Sequence, residues 1–211
     1  MVANNWYNFL VSEEHVTNLF SRTSCYYAGE LVGRGAMGYA ADAAVGHRGG
    51  APTALAGLTA GCAAAMAAAC GVLAALPGYD SGTCNVFFGC VTLCGASGGG
   101  LYTLLLVIGH SVHGGGGSGG DGKGSPAWPQ APRFASSHAV LMLAVVAGQL
   151  CGSDLLATSL AEARAGGAGY CFGRDCYALT LALLSGLCAL SVPLAWRLRG
   201  LIVIPEGPPF R

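Results

Sequence analysis

GGAPTALAGLTAGCAAAMAAACGVLAALPGY, residues 49–79, contains no Asp, Glu, Lys or Arg, and this blank decides the fold. The same blank recurs over Ser81–Gly120, Phe134–Ser153 and Cys176–Trp196. A hydrocarbon layer about 30 Å thick is crossed by roughly 20 apolar residues in a helix. A charge at the centre of such a helix costs about 2.5–3.5 kcal/mol on insertion scales. Charged residues make up 9% of this 211-residue chain, against about 25% in ordinary soluble domains. Mean hydropathy is +0.55. A soluble fold with this composition would leave too much apolar surface in water, so the reading is an all-α, multi-pass membrane protein forming one membrane domain over residues 1–211.

The totals exclude several other classes. Formal net charge is zero, and no basic stripe interleaved with aromatics speaks for nucleic acid. The opening MVANNWYNFLVSEEHV lacks the basic and apolar regions of a cleaved signal peptide, so insertion is expected to rely on the first membrane helix. Of ten cysteines, Cys62, Cys70, Cys90, Cys94, Cys151 and Cys188 fall inside apolar runs, where free Cys behaves as a small hydrophobe.

Five spans are expected. The first runs from about Glu14 to Ala43 and carries Arg22, Glu30 and Arg34. The second, about Thr53–Leu76, stops at Pro77-Gly78; its text GCAAAMAAACG lets a neighbouring backbone approach, because small residues thin a helix. The third covers about Cys84–His110 and holds GASGGG; the fourth is about Ser136–Glu162 and the fifth about Cys176–Leu198. Between the third and fourth, residues 111–135 read as a flexible Gly/Ser/Pro-rich cytosolic loop. Its GDGKGS echoes a P-loop, but Gly124 stands where Ser or Thr is needed and no strand precedes it.

Charge placement gives orientation. Arg48, Lys123, Arg133, Arg197, Arg199 and Arg211 fall on one side of the five spans, and Arg164 and Arg174 on the other. The positive-inside rule places the first set, and with it the carboxyl terminus, in the cytosol. Cys171 and Cys176 then share the opposite side. Their C-F-G-R-D-C spacing allows a small disulfide in an oxidising compartment, or two free thiols at the start of a helix.

Residues 19–50, LFSRTSCYYAGELVGRGAMGYAADAAVGHRGG, carry the candidate latch. Gly33, Gly35 and Gly38 match G-x-G-x-x-G formally, but helical text precedes them and no acidic residue follows at the dinucleotide-binding distance. Read as a helix end, Glu30 and Arg34 are four apart and can pair. Gly29, Gly33 and Gly38 allow close approach of a neighbour. Asp42 lies at the membrane boundary, facing His47 and Arg48 across a short turn.

At these residues the chain resembles the major facilitator superfamily, and more specifically its nodulin-like and monocarboxylate-transporter-like members. The matching positions are Leu19, Phe20, Ser21, Gly33, Arg34, Gly38, Tyr39 and Asp42. CFGRDCYALTL, residues 171–181, is similar to the Cys-rich segment before that family's last helix, and the Gly-rich run from Cys84 resembles its tenth helix. The resemblance implies helices eight to twelve of a twelve-helix carrier. It implies secondary transport of a small solute such as an organic anion, with the lipid bilayer and the missing amino-terminal half, from another chain or a longer version of this one, as partners. The family's basic loop end is reduced here to Gly46-His47-Arg48. The opening looks like the loop after the seventh helix, so the chain is expected to be a truncated half.

Single residues carry two readings each. Asp154, with Gln149 about one turn earlier, is an intramembrane carboxylate that couples protons or meets a cation, or else reaches the interface. Arg22 either meets a substrate carboxylate or snorkels to headgroups. Glu30 and Arg34 form a structural pair or a gate. No metal and no cofactor is expected: Cys90 and Cys94 lie too far along one helix from His110 and His113 to share an ion. No G-x-S-x-G elbow is present, so no enzyme is expected. The alternative function is a non-transporting membrane fragment that only associates with other helices.

Overall fold

The computed structural model describes residues 19–46, 50–76, 83–114, 143, 146–147, 178–200 and 202. Among the described residues the chain is helical, with no strand. Four helices follow in order: α1 Leu19–Gly46, α2 Ala51–Ala75, α3 Cys84–Gly114 and α4 Ala178–Leu198. Three stretches, Ala51–Ala75, Cys84–Gly109 and Ala178–Arg197, are long and apolar enough to cross a membrane. That marks the chain as an integral membrane protein. The fourth expected span lies outside the described residues apart from Leu143, Val146 and Ala147, which are helical.

Local chemistry sets the ends of α2. Gly50 caps its start and Pro52 occupies the first turn, where a missing N–H costs nothing and the fixed φ suits the helix. At the other end Leu76 turns to extended backbone (φ −61°, ψ 128°) while its N–H still reaches Val72 O at 3.0 Å. The following Pro77 disfavours helical geometry at the residue before it. α3 runs on through Gly114, four residues into the expected 111–135 loop. Nothing in HSVHG forbids helix, and the described helix ends at the first of four consecutive glycines, each of which disfavours helix by about 1 kcal/mol relative to Ala.

Register follows from neighbouring pairs. Gly29 of α1 lies against Thr92 and Ala96 of α3, Gly33 against Ala96, and Gly38 against Thr103. The numbers rise together, so α1 and α3 run parallel. α2 runs the other way: Cys70 meets Cys94, Met66 meets Gly98, and Cys62 meets Gly100. α4 is antiparallel to α2, with Gly71 against Ser185 and Gly57 against Trp196. α1, α3 and α4 therefore point one way and α2 the other.

Two apolar clusters hold the bundle. One gathers Tyr26, Met66, Leu73, Phe87 and Val91 with Cys70 and Cys94, and Leu181 and Leu184 of α4 pack on it. The other joins Ala41, Leu55, Leu104 and Ile108 towards the opposite end. α4 is fastened to α2 by a hydrogen bond from Ser185 Oγ to Ala67 O at 2.7 Å. Its outer face shows Leu183, Leu187, Leu190 and Leu194, as suits contact with lipid tails.

Candidate functional site: a charged pair on a glycine seam

The α1–α3 contact is built from two G-x-x-x-G runs, Gly29–Gly33 on α1 and Gly95–Gly99 on α3. A Cβ placed on Gly33 would come within 2.6 Å of Ala96 C and 2.7 Å of its Cα. One on Gly29 would sit 3.1 Å from Thr92 C, and one on Gly95 3.0 Å from Tyr26 C. These obstacles are backbone atoms, which no rotamer change can clear. The helices thus meet main chain to main chain, the arrangement small residues permit inside membranes. Cα–H···O contacts recur at such interfaces.

Glu30 and Arg34 lie along this seam. They form an ion pair one turn apart, the only one among the described residues. The Glu30 side chain runs beside Gly99, whose Cβ would meet Glu30 Cγ at 3.0 Å. Arg34 Cζ stands 5.0 Å from the centre of the Tyr102 ring, close enough for a cation–π attraction. A guanidinium with a carboxylate on one side and an aromatic face on the other is well matched for a low-dielectric setting. The pair is not sealed: the Arg34 side chain is 49% exposed and that of Glu30 22%.

The remaining expected residues fall as follows. Gly33 is required by close approach, whereas a Cβ at Gly38 would make ordinary contact with Thr103 at 3.8 Å. Asp42 is in α1 and exposed. Its expected partner Arg48 lies outside the described residues, as do Gln149, Asp154, Cys171 and Cys176. Arg22 belongs to the first turns of α1. The structure thus brings Glu30, Gly33 and Arg34 together. Tyr102 joins them unannounced; its signal in the sequence is its position three residues after Gly99, on the face that the Gly95–Gly99 run turns towards α1.

Separately, a cleft of about 790 Å³ opens between α1 and α2, floored by α3. Its walls are small and apolar, among them Ala36, Ala40, Ala54, Gly57 and Gly61, with Ser97 contributing a hydroxyl. Neither Glu30 nor Arg34 lines it. No group of three or more His, Cys, Asp or Glu side chains suited to a metal occurs among the described residues. No known family, curated protein or solved structure matches the chain.

Proposed function

We propose that the chain is part of a secondary carrier for a small solute, of the nodulin-like major facilitator type, and not an enzyme. The observation that supports this reading most is the common direction of α3 and α4. If α1, α2, α3 and α4 stand for family helices eight, nine, ten and twelve, strict alternation makes the first, third and fourth parallel, as they are. A chain leaving α3 at one face must return to the other before α4 begins. In this reading the expected fourth span, about Ser136–Glu162, makes that return. α1 joins the membrane bundle although charged, because it follows α3 from Tyr26 beside Gly95 to Ala41 beside Leu104.

Orientation fits the same scheme. In this reading Arg197 and Arg199 at the end of α4 belong to one face with the basic residues that follow α1 (Arg48) and α3 (Lys123 and Arg133) in sequence. The positive-inside rule makes that face cytosolic. Charge at mid-membrane supplies the functional side: an intramembrane Arg held by Glu and half open is a natural contact for an anionic solute. Arg22, Gln149 and Asp154 are further candidates for solute or proton contact, Asp42 with Arg48 for a cytosolic latch, and the other half of the carrier for the facing wall. Tight backbone packing at the seam and an apolar cleft favour a second reading, a membrane fragment that only associates with helices.

Access of water to Arg34 separates the two. Arg34→Cys, alone and combined with Glu30→Gln to avoid stranding the carboxylate, is exposed to a charged, water-soluble thiosulfonate in intact membranes. A carrier wall predicts that the new thiol reacts at least about tenfold faster than one introduced at Leu31, an exposed apolar position on the same helix. Equal, negligible reaction at both positions overturns the carrier reading.

A further inference from the structure

Cys70 of α2 and Cys94 of α3 stand 24 residues apart in sequence, yet their sulfurs are 3.8 Å apart. Both residues have no exposed surface and sit among Tyr26, Met66, Leu73, Phe87 and Val91. Cys90, one turn before Cys94, and Cys188 of α4 pack on the same cluster and are half-buried. Four thiols from three helices therefore share one apolar region of the bundle. What distinguishes the pair is two sulfurs within hydrogen-bonding distance, either of which can donate to the other.

A disulfide needs sulfurs about 2.05 Å apart, so closing this gap asks for a shift of under about 2 Å shared between two side chains. A metal ion between two thiolates would bring charge into an apolar site where no three metal-binding side chains converge among the described residues, which is costly. Oxidation brings none, since two neutral thiols become one neutral disulfide. Burial also restricts the oxidant. A charged aqueous disulfide is excluded from an apolar site, whereas a neutral acceptor dissolved in the bilayer can reach the cluster through the half-buried side.

We propose that Cys70 and Cys94 are a membrane-buried dithiol, oxidised reversibly to a disulfide by a lipid-soluble two-electron acceptor of the quinone class, which pins α2 to α3. Two S–H bonds break and one S–S bond forms. The two electrons and two protons pass to the quinone, which leaves as the hydroquinone.

The full chain in membrane vesicles is incubated with a fully substituted benzoquinone, on which a thiol cannot remain as a ring adduct, then alkylated and mapped by mass spectrometry. The expected result is the loss of two alkylatable thiols per chain and a Cys70–Cys94 linked peptide that a phosphine reductant abolishes. Cys90→Ala keeps the link, and Cys94→Ala loses it. Cys70→Ser repeats the second comparison should Cys94→Ala fail to accumulate. Oxidised glutathione over the same period leaves the pair reduced. Full alkylation of Cys70 and Cys94 after quinone treatment, or a link between Cys90 and Cys188 in their place, overturns the proposal. Equal oxidation by glutathione disulfide overturns the choice of acceptor.

Discussion

α3 is held by two contacts of opposite kinds. Towards α2 it presents Phe87 and Val91 to Leu73, Met66 and Ala69, a contact of interlocking side chains. Towards α1 it presents Gly95 and Gly99, and the two backbones touch. The difference follows from what each partner offers. α2 has no charged residue and can be gripped through apolar bulk. α1 carries Glu30 and Arg34 in its middle, so bulk there would separate the helices around two charges. Removing the side chains from the seam brings the main chains together and leaves Glu30 beside Gly99 and Arg34 under Tyr102.

The sharpest way to break the contrast is to put bulk into the seam. Gly33→Leu drives a side chain into the Ala96 backbone, and overpacking of this kind costs about 3 kcal/mol or more because the obstacle cannot rotate away. The expected outcome is undocking of α1, read as protease sensitivity within residues 19–46 while α2 and α3 stay protected. The matching cut on the other side is Phe87→Ala, which removes a fully buried ring. It lowers stability by roughly 3 kcal/mol through cavity formation, measured as a lower midpoint in detergent unfolding, with α1 and α2 loosened together.

Charge gives a smaller effect. Glu30→Gln leaves Arg34 without its carboxylate at mid-helix, a loss of about 2 kcal/mol on the scale of intramembrane charges. Glu30→Gln with Arg34→Gln recovers part of it. A double-mutant cycle on unfolding free energies checks this, and strict additivity would deny the pairing. The smallest effect has the opposite sign. Gly35 lies two residues from Gly33, but a Cβ there meets nothing within 4 Å. Gly35→Ala therefore stabilises α1 by about 0.5–1 kcal/mol through helix propensity alone, seen as a raised unfolding midpoint.

Much of this architecture is legible in the sequence, and the boundary of legibility is physical. Charge-free runs locate α2, α3 and α4 to within a few residues, because membrane insertion is decided by composition over a whole helix-long window. Pro52 and Pro77 sharpen the ends of α2 because proline acts locally. Gly29 and Gly33 are readable as thin places on α1, and the ion pair beside them is readable from the four-residue spacing of Glu30 and Arg34. Which helix fills the thin place is not readable. Gly95 and Gly99 on α3 share the four-residue spacing of Gly29 and Gly33, but so do Gly57 and Gly61 on α2. Choosing among them requires the packing of every other side chain at once. The same limit hides the Cys70–Cys94 contact and the position of Tyr102 against Arg34, since both depend on register between helices; the spacing from Gly99 gives the face of Tyr102 but not its partner. Gly38 marks the converse: a glycine in the motif whose neighbour, Thr103, leaves room for a Cβ.

The carrier reading turns on α1, charges included, crossing the membrane alongside α3. Mapping the two ends of α1 with inserted glycosylation acceptor sites in microsomes tests that crossing directly, because an acceptor is modified only on the lumenal side. Modification is expected for a site inserted before residue 19 and for one in the 77–82 connection, with none for a site at residues 47–49. Modification of the sites before residue 19 and at 47–49 alike, or of neither, would place both ends of α1 on one side and contradict the crossing.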